Sequence, residues 1–288
     1  MDLNSDGQRD ILSGSYSRMG ESMAGLFQVL WGTSSGKFKK AEELKGTDKE
    51  PLIIPIKGKD EQLLNICTRP WAVDWNGDSK LDLIVGNFGG SFYLFKGEGK
   101  GKFAPKPEAL KAGKGPLQID GHHSDPFVID WDGDGDLDIL SGADKGGVQW
   151  AENTAGRGKL PAFDGFTSLI KPGRIYEMGQ LVSEQELTEP SGSTRVWADD
   201  VNGDGKLDIL VGDNITLVSL AKGVTKEQYD NKFKKWKAAQ SAASKAMGNA
   251  KNDEDQKAAQ KRMSEIYQER TEFMNEERTG YVWLYLRK

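Results

Sequence analysis

The chain has 288 residues, 36% of them hydrophobic and 29% charged, with a formal net charge of −5. That charge gives no general attraction for nucleic acid, and no apolar run approaches the roughly 20 residues that span a bilayer as a helix. One cysteine, Cys67, excludes an intramolecular disulfide, and 35 glycines beside 8 tryptophans favour short strands and many turns over a helical bundle.

In chain order, one pattern recurs four times. Residues 2–14 read "DLNSDGQRDILSG", 74–86 "DWNGDSKLDLIVG", 130–142 "DWDGDGDLDILSG" and 200–212 "DVNGDGKLDILVG". The shared form is D-x-[DN]-x-D-x-x-x-D-[IL]-[IL]-x-G, and the starts lie 72, 56 and 70 residues apart. Apolar approaches, "RPWAV", "DPFVI" and "TRVWAD", precede the last three copies. Each copy is followed by a further apolar segment: "GLFQVLWG", "GSFYLFKG", "GGVQWAEN" and, at the end of the chain, "GYVWLYLR". Each unit therefore reads strand, aspartate loop, strand, turn, strand, turn, strand, with β-branched and aromatic residues in the strands and glycines at the turns. About four antiparallel strands in some 40 to 50 residues is the arithmetic of a β-propeller blade. The fold class expected is mainly β, a propeller of four-stranded blades. Only Met1 precedes the first loop, and the last unit ends without an outer strand. The chain is thus expected to be a fragment of a longer exported protein, or one whose two ends complete each other.

Residues 225–279 break the pattern. Tyr229, Phe233, Trp236, Gln240, Ala243, Met247 and Ala250 step by fours and threes, and Ala259, Met263, Ile266, Arg270 and Phe273 continue the stepping. Thr225 with Gln228 and Asp253 with Gln256 form capping-box pairs, and Gly248–Asn249 supplies a break. The expectation is an antiparallel helical hairpin with arms of about 22 residues, roughly 33 Å each. It is inserted in the last blade, leaving residues 1–224 plus 280–288 as the propeller. Two roles stay open for it: a self-packed decoration, or an arm for partner docking or oligomerisation.

The aspartate loops invite a metal-site reading. An EF-hand also opens D-x-[DN]-x-[DN]-G, but it needs a bidentate Glu at the twelfth position and flanking helices. The twelfth residues here are Ser13, Val85, Ser141 and Val211, and strands follow. The alternative is a tight hairpin loop whose oxygens at positions one, three, five and nine converge, joined by the seventh carbonyl. Asparagine at position three of three loops keeps an oxygen while removing a charge, which a merely solvated acidic turn does not require.

These features resemble the FG-GAP (VCBS) repeats of integrin-α-type propellers, over about residues 2–220 and the last strand. The "NFGG" at 87–90 is a partial echo of the name-giving Phe-Gly. The resemblance implies calcium in each loop. Its side-chain ligands would be Asp2, Asn4, Asp6 and Asp10; Asp74, Asn76, Asp78 and Asp82; Asp130, Asp132, Asp134 and Asp138; and Asp200, Asn202, Asp204 and Asp208. The carbonyls of Gln8, Lys80, Asp136 and Lys206 would join them, with the Asp136 side chain in water. Ser79 stands where the other loops have glycine, so the second site is expected to be weak if that position is left-handed.

No phosphate loop, HExxH or GxSxG motif occurs. His122 and His123, the two histidines, sit in a loop before a strand, and Cys67 reads as a small buried side chain. The function expected is a non-catalytic, calcium-stabilised module that binds a protein or carbohydrate through its long connectors at 41–66 and 171–195. The alternatives are a polysaccharide-acting enzyme with its site at the propeller mouth, or a purely structural module of a larger surface protein. Weak calcium loops fill where calcium is millimolar, so an extracellular, periplasmic or cell-surface location is expected.

Overall fold

A computed structural model describes residues 1–16, 26–56, 64–156 and 159–288. It divides into two compact units: residues 1–174, 189–213 and 281–288, and residues 175–188 and 214–280.

The larger unit is a series of antiparallel sheets, one for each aspartate motif. The first has strands β1 (Ile11–Ser13), β2 (Gln28–Leu30) and β3 (Glu42–Glu43). The second has β4 (Arg69–Val73), β5 (Asp82–Gly86), β6 (Phe92–Phe95) and β7 (Glu108–Ala109). The third has β8 (Asp125–Ile129), β9 (Asp138–Gly142), β10 (Val148–Ala151) and β11 (Thr167–Ile170). The fourth joins β12 (Gly192–Asp199), the first half of β13 (Asp208–Leu220) and β15 (Val282–Tyr285). The second and third sheets thus have the four strands expected of a blade. Among the described residues, the first has no leading strand and the fourth no outer one.

Register is conserved through the series. The motif's tenth residue faces Leu30, Phe95, Ala151 and Tyr285 in turn, opposite Ile11, Leu83, Ile139 and Ile209. One slip would exchange the faces of a strand, so alternation of apolar residues and fixed loop length hold this pairing. Three cores lie between successive sheets. Val29, Leu83, Val85 and Phe95 pack between the first and second, and Ile84, Phe92, Val128 and Ile139 between the second and third. Phe127, Leu140, Val148, Val196, Ile209 and Val211 fill the last.

The junctions repeat in polar detail as well. Ser15, Asn87 and Ala143, each just after a motif's final glycine, exchange hydrogen bonds with Thr68, Ser124 and Thr194, each just before the next leading strand. The backbone N–H groups of Ser15, Asn87 and Ala143 donate to those hydroxyls at 3.1, 2.8 and 3.0 Å. The backbone N–H groups of Thr68, Ser124 and Thr194 donate back to the carbonyls at 3.1, 3.0 and 2.9 Å. The final glycine is required by this closeness: a methyl group on Gly14, Gly86 or Gly142 would lie 1.8, 2.2 or 2.1 Å from the carbonyl oxygen of Thr68, Ser124 or Thr194.

Leading strands of three sheets meet along one line. Trp71, Phe127 and Trp197 occupy equivalent positions and touch, with ring centroids 4.6, 5.0 and 5.9 Å apart. Two residues earlier, Arg195 Nε lies 3.0 Å from the Asp125 carboxylate and Arg69 Nε 3.9 Å from it.

The smaller unit holds helices α1 (Lys226–Gly248) and α2 (Asp253–Glu269), packed on each other, with a 3-10 turn at Arg270–Glu272. Thr225 and Gln228 form the expected capping box. The second cap differs from expectation by one residue: Asn252, not Asp253, accepts the Asp255 N–H at 2.8 Å. Tyr229, Trp236, Ala243, Ile266 and Phe273 bury the predicted seam, while Met247 is 38% exposed. Residues 274–279, read above as the end of the hairpin, form strand β14 (Met274–Thr279) instead. It pairs with the second half of β13, whose β-branched Ile215, Thr216 and Val218 favour extension.

Candidate functional site

All four aspartate loops fold alike. The first aspartate accepts the N–H of the sixth residue: Gly7, Ser79, Gly135 and Gly205, at 2.8, 2.9, 3.1 and 2.9 Å. The third-position oxygen of Asn4, Asn76, Asp132 or Asn202 accepts the N–H of the fifth residue at 3.0, 2.9, 3.2 and 2.8 Å. The fifth, Asp6, Asp78, Asp134 or Asp204, accepts the N–H of Gln8, Lys80, Asp136 or Lys206 at 2.9, 3.0, 3.0 and 2.9 Å. These are successive turns stabilised by side chains, which Asp and Asn make readily. Two positions in each loop are left-handed. The sixth carries φ of +84, +65, +93 and +83° at Gly7, Ser79, Gly135 and Gly205. The fourth carries +59, +76, +84 and +77° at Ser5, Gly77, Gly133 and Gly203. Each of the first two loops therefore holds one serine where glycine costs less, Ser5 as well as Ser79.

The ninth aspartate has a role the sequence did not reveal. Asp10, Asp82, Asp138 and Asp208 are all buried. One oxygen of each accepts the N–H of the loop's second residue: Leu3, Trp75, Trp131 and Val201, at 2.8, 3.2, 3.0 and 3.2 Å. The other accepts an N–H from just beyond the neighbouring strand: Gly32, Gly97, Asn153 and Arg287, at 2.8, 2.6, 2.8 and 2.9 Å. The partners lie up to 79 residues away, so sequence spacing alone could not announce them. Each carboxylate oxygen keeps a further lone pair for another partner.

The loops differ in charge. In the third, one oxygen each from Asp130, Asp132 and Asp138 lie within 4.8 Å of one another. Burial pushes the Asp138 carboxyl up to about 6 against its two amide donors, and Asp132 adds repulsion. In the second, desolvation of Asp78 is outweighed by the Lys80 amide and ammonium, 3.4 Å away, which hold its pKa low. Asp136 does not face water as expected. It is 6% exposed, accepts the Gly156 N–H at 2.6 Å, and is pushed up by burial.

Around the loops, His122 Nδ1 lies 3.3 Å from Asp144, and the Ser124 hydroxyl belongs to the junction bonds rather than to a histidine. Burial raises the half-buried Cys67 thiol. Of the connectors, Leu44, Leu52 and Ile54 are buried in a core, and residues 57–63 lie outside the described residues. Ile175 and Met178, in the other connector, are 73% and 56% exposed.

A family model described as FG-GAP-like repeat matches residues 74–141 and 130–211. Residues 74–211 are thus similar to FG-GAP-like repeats. Each match runs from one aspartate loop into the next, so the repeat comprises the loop, its sheet and the junction that follows. The first loop and the last strand lie outside the matches but keep the same hydrogen bonds and register. No match was found to a curated protein or to a solved structure. Among the described residues, no helix is long and apolar enough to cross a membrane.

The donor set fits calcium, the ion such repeats imply. Its oxygens are all hard carboxylate, amide and carbonyl groups. Two features are otherwise costly: Asp74 Oδ1 is buried without a hydrogen-bond partner, and three carboxylates crowd together in the third loop.

Proposed function

We propose that this protein is a calcium-stabilised, non-catalytic binding module of the β-propeller type, working where calcium is millimolar. The observation that carries the reading is one hydrogen-bonded turn repeated in all four loops, together with the crowding of Asp130, Asp132 and Asp138 oxygens within 4.8 Å in the third. The ion would be held by the oxygens of positions one, three, five and nine with the seventh carbonyl, and would supply charge neutralisation and rigidity. The glycine-to-serine change at Ser79 and the Lys80–Asp78 pair make the second loop the weaker site. A loop with a dissociation constant of about 10 µM in about 1 mM calcium stabilises the fold by roughly 2.7 kcal/mol. Several such loops are comparable with the whole stability of a domain, about 5–15 kcal/mol.

The partner is a protein or carbohydrate met by loops on the rigid sheets, where recognition residues concentrate. An extracellular, periplasmic or surface setting follows from the calcium level these loops need. Thermal melting with and without a chelator tests the stabilising role. The expected result is a fall in Tm on chelation that calcium, but not magnesium, restores; an unchanged Tm contradicts the proposal.

A further inference from the structure

Among the described residues, the sheet series contains three closed junctions and a bare face at each end. At each closed junction, the side chains of one sheet's front face lie under the next sheet. Phe27, Phe92 and Val148 stand at equivalent register positions in the first three sheets, and each is 0% exposed. Their equivalent in the fourth sheet is Val282, opposite Gly212, and it is 71% exposed. Val29 and Leu94, 0% and 7% exposed, correspond to Leu284 at 49%. Trp197 and Leu286 extend this bare front to four large apolar residues, each about half or more exposed. So large an apolar patch on a sheet face marks an interaction surface.

The opposite end of the series has the matching bare face. On the rear of the first sheet lie Ile11, Ser13, Gln28 and Leu30, with Ile11 45% exposed. The rear of the third sheet carries Ile139, Ser141, Gln149 and Ala151 at the same register positions. Three of the four residue types coincide. There Ile139, Ser141 and Ala151 are 0% exposed, covered by the front of the second sheet. The rear of the first sheet thus has the composition that this fold buries beneath a preceding front.

We propose that the front of the fourth sheet docks on the rear of the first sheet of a second copy of this chain, head to tail. The contact continues the junction series already present. It needs no junction hydroxyl, because the Asp213 N–H, which stands where Ser15, Asn87 and Ala143 donate, is taken by the Tyr281 carbonyl at 3.1 Å. Such a contact is heterologous: it extends into longer assemblies unless the rotation closes them into a ring. It does not depend on the loops holding calcium.

Light scattering coupled to size exclusion tests this over a range of concentrations. The wild-type chain is expected to exceed its 31.7 kDa monomer mass increasingly with concentration. Val282→Asp with Leu284→Lys blocks the front, and Ile11→Lys blocks the rear. Loss of one buried leucine corresponds to about tenfold in association constant. Each variant alone is expected to stay monomeric. Mixed in equal amounts, they retain one intact front and one intact rear, so they are expected to form a dimer that grows no further. The mixture also shows that both variants remain folded. A wild type that stays monomeric at every concentration overturns the proposal, as does a mixture that stays monomeric while the wild type associates.

Discussion

The third and fourth sheets share one motif, "DWDGDGDLDILSG" against "DVNGDGKLDILVG", yet their surroundings differ. In the third sheet, Gly142 abuts the Thr194 carbonyl and Val148 is sealed beneath the next sheet. In the fourth, a methyl group added to Gly212 would meet nothing closer than the Arg195 Cβ at 3.9 Å among the described residues, and Val282 is open to solvent. The loops themselves are alike in hydrogen bonding. A repeat of this kind therefore has two layers: the loop and its clamp are internal to each copy, whereas the meaning of the final glycine depends on a neighbour.

Substitutions separate the two layers. The largest contrast is expected at the final glycines. Gly142→Ala forces a methyl group against backbone and should cost about 3 kcal/mol in urea unfolding. Gly212→Ala should leave stability unchanged or raise it by about 0.5 kcal/mol. Equal costs at the two sites would dissolve the distinction between them.

The clamps should respond equally. Asp138→Ala strands the N–H groups of Trp131 and Asn153, and Asp208→Ala those of Val201 and Arg287. Each should cost about 2–3 kcal/mol. Asp138 adds a pH signature. Its folded pKa of about 6 stands above the ordinary carboxylate value of about 3.9, so the folded state holds that proton more tightly. The associated stability is fully present below about pH 4 and lost as pH rises through about 6. Metal-free protein should thus weaken between those pH values, and Asp138→Asn should flatten the loss.

The smallest effect lies within the loop. Gly135→Ser should cost about 1–2 kcal/mol at its φ of +93°, while Gly205→Ser, at +83°, should cost the same. Ser79→Gly should stabilise the second loop in the opposite sense. Chemical denaturation of the three variants gives the comparison directly.

Much of the repeat was legible in the sequence. Residues at fixed short spacing set the loop turns, the register and the insertion point of the hairpin ahead of "GYVWLYLR". What stayed hidden depends on distant partners. Asp138 reads as a ligand in its motif, but its clamp on Asn153 exists only after folding. Asp136 is expected to turn its side chain to water because its place in the loop calls only on its carbonyl, whereas Gly156 reaches the carboxylate from 20 residues on. Residues 274–279 continued a charged helical text, but the extended second half of β13 drew them into a sheet. The final glycine recurs in all four motifs, but its reason is hidden in the sequence, because the carbonyl that Gly14, Gly86 and Gly142 accommodate belongs to the next repeat.

The loops are proposed to hold calcium. Isothermal titration of chelator-stripped protein with calcium at neutral pH tests this most directly. Binding of more than one ion per chain is expected, with Asp130→Ala removing one site and Ser79→Gly strengthening another. Absence of any binding heat up to millimolar calcium, with the protein folded, would contradict it.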